Sequence, residues 1–153
     1  MLHPLVLQIW IKPARKGGKP RYDQNPVEAG SVDGRLGLLL SGSERLPGIT
    51  INQDARVYAA KLDGADSVEY TVNRGRHAWL QVARGSLRVN GTRLQTGDAV
   101  ATSRPTRLVL DQANRARDPS LRSLLIRKRV STYLSGGQPR KASLDCWLLP
   151  RLR

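Results

Sequence analysis

The 153-residue sequence contains no phenylalanine, one cysteine and two histidines. Without Phe, a hydrophobic core must be built from Leu, Val and Ile, helped by three Trp and four Tyr. That supply suits one domain better than two. The single Cys146 excludes an internal disulfide framework and is typical of a reducing compartment, so we expect a cytoplasmic protein. We interpret Cys146, next to Trp147, as a small hydrophobe rather than a nucleophile.

The apolar stretch at residues 5–11 is too short to cross a membrane. A membrane-spanning helix needs about 18 or more consecutive apolar residues. The basic residues near this stretch follow it, whereas those of a signal peptide come first. The sequence therefore predicts no membrane association.

Acidic residues are scarce, since 12 Asp and Glu stand against 26 Lys and Arg and give a net charge of +14. Residues 1–110 carry 16 basic and nine acidic residues, whereas residues 111–153 carry ten and three. A basic tail of this kind can bind nucleic acid or an acidic partner weakly and without sequence preference. A solvated, arginine-rich tail is the favoured interpretation, because no interleaved aromatic residues or nucleic-acid motif accompany the charge.

Residues 21–110 have the pattern of a chain made of short β-strands. Val68, Tyr70 and Val72 alternate with polar residues, which is the period of a half-buried strand. Asn90-Gly91 follows another alternating run and indicates a hairpin, because a type I′ turn needs positive φ at both central positions. Short strands at roughly ten-residue spacing, without helical stretches between them, predict an all-β barrel or sandwich.

The two ends of the chain differ from this middle region. Residues 1–20 contain a strand-like run and then a linker with two prolines, two glycines and four basic residues. Residues 111–153 form a basic tail that we expect to be irregular or partly helical. Residues 121–130 could form one or two helical turns, whereas residues 123–126 and 147–150 are candidates for a strand that closes the barrel. If neither closes it, the barrel has exposed strand edges that invite self-association.

Four blocks of sequence, in the same order, resemble the bacterial pirin family. They are LQIWI with PRYDQ at residues 7–11 and 20–24, INQDARVYA at 51–59, GRHAWLQVARG at 75–85, and SLRVNGTRL with Gly97-Asp98 from residue 86 onward. Members of this family carry two β-barrels in one chain, and some are quercetin 2,3-dioxygenases.

The resemblance implies that residues 21–110 are the C-terminal cupin, a single jelly-roll β-barrel. It implies that residues 1–20 are the strand and linker between the two barrels, and that the N-terminal cupin is missing. A fragment, a frameshifted tail or a gene fusion would each explain that pattern. In the family, the metal lies in the N-terminal cupin, where histidines and a glutamate hold iron or another divalent transition metal.

The residues of this chain do not offer such a set of ligands. A non-haem oxygenase site needs several imidazoles, often with one carboxylate. Besides its aspartates, the sequence has His3, His77, Glu28, Glu44 and Glu69. Because the histidines are so few, the sequence predicts no cofactor in this chain, and we assign no catalytic, cofactor-binding or metal-binding residue.

Three single residues have structural interpretations. His77 precedes Trp79 at strand spacing, so the two share a face, and we interpret His77 as a packing residue or as one that hydrogen bonds near a turn. Asn52 stands where relatives often have His. Asp98, after Gly97, is interpreted as a turn residue because Asp side chains accept hydrogen bonds from nearby backbone amides.

The sequence therefore predicts a quercetin 2,3-dioxygenase-related cupin domain that is inactive by itself. The alternative is a non-enzymatic binding or oligomerisation module. The expected partners are a missing or separately encoded N-terminal cupin, a second copy bound through an open strand edge, or polyanions bound weakly by the basic tail.

Overall fold

A computed structural model describes residues 7–114, 123–129 and 146–148 of the chain. These residues contain twelve β-strands and no helix. The strands are β1 (Ile9–Ile11), β2 (Gly37–Ser41), β3 (Ile49–Thr50), β4 (Ala55–Ala60), β5 (Val68–Val72), β6 (Arg76–Val82), β7 (Ser86–Val89), β8 (Thr92–Gln95), β9 (Ala99–Thr102), β10 (Thr106–Asn114), β11 (Ser123–Arg129) and β12 (Cys146–Leu148). The all-β prediction is confirmed.

Two larger sheets form the body of the domain. One has four strands in the order β5-β10-β7-β8, and the other has six in the order β3-β2-β4-β11-β6-β9. The strands β1 and β12 pair antiparallel as a small third sheet, in which Trp10 lies opposite Trp147. All the pairings are antiparallel except that of β2 with the two-residue β3.

Strand β11 holds the six-stranded sheet together. It pairs with β4 along Ser123–Lys128 and with β6 along Ser123–Arg129, so it joins two strands that do not pair with each other. One of the two candidate closing segments, residues 123–126, thus lies within a central strand of the sheet.

Strand β10 continues beyond residue 110 to Asn114, with a register shift between Asp111 and Asn114 where Gln112 has a φ of 47°. Most of the expected irregular or partly helical tail lies outside the described residues.

The β7–β8 hairpin turns at the predicted Asn90-Gly91. Their φ angles are 48° and 82°, the two positive values that a type I′ turn requires. The Asn90 side chain also reaches the neighbouring strand β10. Its amide nitrogen donates to the Arg107 carbonyl at 2.9 Å, and its carbonyl oxygen accepts from the Val109 amide at 2.8 Å. The same residue therefore sets the turn and fixes the hairpin to the sheet.

The hydrophobic core lies between the two larger sheets. Leu80 and Val82 of β6 face Leu87 and Val89 of β7 and Leu110 of β10 in one buried cluster. Alternation places these side chains inward because successive residues of a strand point to opposite faces. The side chains of Leu62, Leu80 and Leu110 are at most 1% exposed, so the interior of the domain is packed with aliphatic groups.

The outer face of the six-stranded sheet carries a second, smaller cluster. Buried Val57 of β4 packs with half-buried Trp79 of β6, and the N-terminal segment contributes Leu7, Ile9 and Ile11. The strand-like run of the N-terminal region therefore covers the back of the sheet. The Nε1–H group of Trp79 is buried and has no hydrogen-bond partner within the described residues.

The described part of the chain includes no helix that is both long and apolar enough to span a membrane.

Candidate functional site

His77 lies on β6 and is 9% exposed. Its Nδ1 atom is 2.7 Å from the hydroxyl oxygen of Ser103, in the turn that follows β9. The side chains of His77 and Trp79 lie on the outer side of the sheet, opposite the inward Ala78 and Leu80. The prediction of a hydrogen bond near a turn, on the face shared with Trp79, is confirmed.

The three glutamates considered as ligands lie on separate elements. Glu28 is in the loop before β2, Glu44 is in the exposed turn after β2, and Glu69 is on β5. Glu69 forms an ion pair with Arg107 of the adjacent strand β10. His3 lies outside the described residues.

These placements do not fit a transition-metal centre. Within residues 7–114, 123–129 and 146–148, no group of three or more His, Cys, Asp or Glu residues could hold a metal ion. A metal site needs its ligands to converge on one point. The imidazole of His77 is engaged by Ser103, and Glu69 is engaged by Arg107, so these two candidates have other partners. We therefore derive no reaction step through a metal in this chain.

Asp98 is a turn residue, as predicted. Its carboxylate accepts a hydrogen bond from the Gln95 amide at 2.8 Å, and its own amide donates to the Gln95 carbonyl at 2.9 Å. The Asp98 carbonyl accepts from the Val82 amide and from the side chain of Gln81. These bonds connect the turn between β8 and β9 to the end of β6.

Asn52 and Gln53 hold the basic linker, residues 12–21, against the sheet. The Ala14 amide donates to the Asn52 carbonyl at 2.7 Å, and the Asn52 side chain donates to the Arg15 carbonyl at 3.3 Å. The Gln53 side chain donates to the Lys12 carbonyl at 2.8 Å. The side-chain amide of asparagine carries N–H donors at any pH. Asn52 uses them here to hold the linker backbone in place, and does not act as a metal ligand. Sequence reasoning noticed the departure from His at this position but missed the contact.

A polar cleft of about 260 Å³ lies between this linker and the ends of β2 and β4. Its walls include Arg15, Ser41, Asn52, Asp54 and Arg56. The walls are fixed by backbone hydrogen bonds from Gly42 to Ala55 at 3.0 Å and from Ile51 to Ser41 at 2.8 Å.

Gly42 is required by the close approach of two chain segments at this cleft. A Cβ atom at position 42 would lie 2.0 Å from the Gln53 carbonyl oxygen, far inside contact distance. Any larger residue would therefore push apart the two segments that form the walls.

A larger apolar groove of about 470 Å³ lies beside β2 and β3. It is lined mainly by aliphatic side chains, among them Ile9, Val27, Leu38, Leu40 and Ile49. Val27 at its rim is 49% exposed. Such a surface on the outside of a domain is suited to contact with another protein surface.

Comparison with protein families matches residues 38–118 to the quercetinase C-terminal cupin domain. A Pseudomonas aeruginosa protein provisionally named a quercetin 2,3-dioxygenase is 40% identical over 97 residues, which are 63% of this chain and 42% of that protein. The quercetin 2,3-dioxygenase of Escherichia coli K12 is 33% identical over 96 residues, or 63% of this chain and 40% of that protein. The chain thus spans about 40% of the length of these relatives.

Solved structures show the same fold. The crystal structure of YhhW from Escherichia coli superimposes with a TM-score of 0.65 at 24% identity, covering 79% of this chain and 48% of that one. The structure of the bacterial pirin YhhW in complex with nickel(II) gives a TM-score of 0.64 at 25% identity, covering 76% and 47%.

Proposed function

This chain belongs to the pirin family through its quercetinase-type C-terminal cupin domain, and we propose that it acts as the non-catalytic half of a two-cupin assembly. It supplies a folded barrel, while the metal chemistry of a quercetin 2,3-dioxygenase-type protein belongs to another cupin. The chain corresponds to about 40% of each curated relative, which leaves room for such a domain in those longer proteins.

The observation that carries this proposal is that aliphatic side chains fill the interior of the domain. Leu62, Leu80 and Leu110 fill the space between the sheets, and the imidazole of His77 lies on the outer face with Ser103. A substrate pocket with convergent metal ligands needs room and polar groups in one place. The packed aliphatic interior of this domain is suited to stability instead.

The test is a metal analysis and a quercetin turnover assay on the purified full chain, with and without added iron, copper or nickel. We expect substoichiometric metal and turnover at the level of a heat-denatured control. Stoichiometric metal together with turnover that chelation abolishes would contradict the proposal.

A second candidate function is that of a binding module, and the apolar groove favours it. We propose that its occupant is an N-terminal cupin, on a longer chain or encoded separately, because the matched relatives are more than twice the length of the matched segment. The groove includes Ile9, which lies in the segment that resembles the connection between the two family barrels. An apolar lining loses unfavourable contact with water when another domain covers it.

The groove can be tested with Val27→Glu, which places a charge at its rim, and with Tyr22→Glu as an exposed control that does not line the groove. The probe is the part of the Pseudomonas relative that this chain does not match. Binding that Val27→Glu weakens and Tyr22→Glu does not supports the docking proposal. A dimer of the chain alone that Val27→Glu dissociates would instead assign the groove to a second copy.

The basic tail is proposed to contact acidic partners or nucleic acid. Removing the whole tail would also remove β11, so the matched test neutralises Arg140, Lys141, Arg151 and Arg153 to Gln and leaves the described strands intact. Binding to an oligonucleotide is measured at several salt concentrations. The quadruple variant is expected to show a shallower salt dependence, because fewer counterions are released. An unchanged slope would rule out a contribution from these four residues.

A further inference from the structure

The polar cleft lies at an end of the six-stranded sheet where positive charge is concentrated. Arg56 is the second residue of β4 and lies two positions after Asp54, and Arg76 begins β6. The last three residues of β11, Arg127-Lys128-Arg129, run between these two strands. Arg127 is registered opposite Arg56, and Arg129 is registered opposite Arg76.

The one carboxylate among these strand ends, Asp54, accepts a hydrogen bond from Arg76 at 2.8 Å. The acidic residue of the cleft is therefore already neutralised by a cation that does not line it.

Arg15 and Arg56 are the two cationic residues among those that line the cleft. Among the residues that the structure describes, neither has a carboxylate within ion-pair distance. Arg56 is half-buried on a central strand, and the backbone of Arg15 is fixed by its bond from Asn52. Two arginines that line a small polar cleft can offer the fork-shaped guanidinium donors that match the oxygens of phosphate.

The linker adds charge around the same opening. Lys12, Lys16, Lys19 and Arg21 are exposed, and the linker is held beside the cleft by Asn52 and Gln53. Fixed cations around a cavity raise the local concentration of anions and favour multiply charged ones. A volume of about 260 Å³ accommodates a phosphate group with a small organic remainder.

We propose that the polar cleft is a phosphate-binding site, in which Arg15 and Arg56 hold the phosphate group of a small molecule. The walls around Gly42 set the size of the ligand, and the linker cations attract it. The site does not depend on whether the barrel is catalytic, so it can fail or succeed independently of the function proposed above. The phosphates of nucleic acid share the same chemistry, and the experiment separates the two sources.

The probe is pyrophosphate, titrated calorimetrically into the full chain in phosphate-free buffer. We expect one pyrophosphate per chain. Arg56→Gln should weaken binding about tenfold or more, because a charge-assisted hydrogen bond is lost. Arg93→Gln on β8 removes the same charge from an exposed position that does not line the cleft, and it should leave the affinity within about twofold. Equal losses in both variants would overturn the proposal, since only net charge would then matter.

Asp54→Asn gives a test that loss of folding cannot imitate. Removing the carboxylate from the cleft wall should tighten pyrophosphate binding several-fold, because Arg76 loses its ion-pair partner and the charge beside the cleft becomes more positive. A weaker affinity in Asp54→Asn would contradict the assignment, as would no detectable binding by the unmodified chain.

A single-stranded oligonucleotide distinguishes the source of the phosphate. For a small-molecule site, pyrophosphate displaces the oligonucleotide, and the oligonucleotide binds no more tightly per phosphate. Oligonucleotide binding that pyrophosphate fails to displace and that Arg56→Gln fails to weaken would assign the surface to polyanions and overturn the cleft site. Polyanion binding is recognised by its steep dependence on salt.

Discussion

The two faces of the six-stranded sheet differ in how they are covered. The inner face packs against a second sheet, and its residues Ala60, Leu80 and Val82 are at most 1% exposed. Among the described residues, the outer face packs against the N-terminal segment, and Trp79 and Ile9 there are half-buried. We infer from this difference that contact between the two sheets contributes more to stability than the outer face does. The apolar groove lies on the outer face, where its lining includes Ile9 and Val57.

The largest effect is expected from removing β11, which joins β4 to β6 in the six-stranded sheet. A chain ending at residue 114 lacks β11 and leaves β4 and β6 without the strand between them. We expect it to lose cooperative thermal unfolding, monitored by circular dichroism, because many backbone groups would lose their partners. A chain ending at residue 130 keeps β11 and, of the described strands, lacks β12 alone, which pairs with β1 outside the main sheets. If both truncations unfold alike, the contrast between the faces is wrong.

The second largest effect is expected from shortening one buried side chain on the inner face. Leu80→Ala is expected to lower the free energy of unfolding by about 2–5 kcal/mol, because Leu80 is 1% exposed and its removal leaves a cavity. Urea denaturation measures the change. A loss of less than about 1 kcal/mol would mean that the interior collapses around the smaller side chain.

The inner face of the four-stranded sheet depends on the register of the β7–β8 hairpin. Asn90→Ala should cost about 1–3 kcal/mol, because it removes both side-chain bonds to β10 and places alanine at a φ of 48°. Asn90→Gly keeps the turn conformation and removes only the side-chain bonds, so its loss should be smaller. Equal losses would show that the turn conformation contributes little.

A matched truncation on the outer face should have a smaller effect than Leu80→Ala. Ile9→Ala is expected to cost about 1 kcal/mol, because Ile9 is only half-buried and the chain can adjust around it. The same urea titration compares the two variants directly. An Ile9→Ala loss as large as that of Leu80→Ala would place the N-terminal segment among the main stabilising elements.

The smallest expected change is that of Trp79→Phe, within about 1 kcal/mol. The substitution reduces the buried aromatic area but also removes an Nε1–H group that has no hydrogen-bond partner within the described residues. Differential scanning calorimetry would show a near-unchanged midpoint. A marked destabilisation would indicate that this group has a partner after all, such as an ordered water molecule.

Local features of the fold were predictable because they depend on a few adjacent residues. The alternation of Val68, Tyr70 and Val72 is inward packing in β5, and Asn90-Gly91 is the hairpin turn. The family blocks led to the cupin assignment that the comparison of residues 38–118 supports. The side-chain bonds of Asn90 to β10 and of Asn52 to the linker were not predictable, because their partners lie 17 or more residues away in sequence.

The candidate sites show the same limit. Sequence reasoning predicted no histidine-rich metal centre by counting residues, which requires no coordinates. It placed the basic character in the tail, whereas the polar cleft draws on Arg15 of the linker and Arg56 of β4, which are brought together only by the fold. No local pattern indicated this pairing, since residues 41 positions apart in sequence have no local relation.

By itself the sequence determined that this chain is an all-β pirin-type cupin domain, because strand period, turn chemistry and family motifs are all encoded in neighbouring residues. Only the tertiary structure decided that Ser123–Arg129 lies between β4 and β6, and that Arg15 and Arg56 line one cleft. The physical reason is that strand order in an antiparallel sheet is set by packing and backbone pairing between distant segments. Those contacts depend on how the whole chain buries its apolar surface, and no short stretch of residues specifies them.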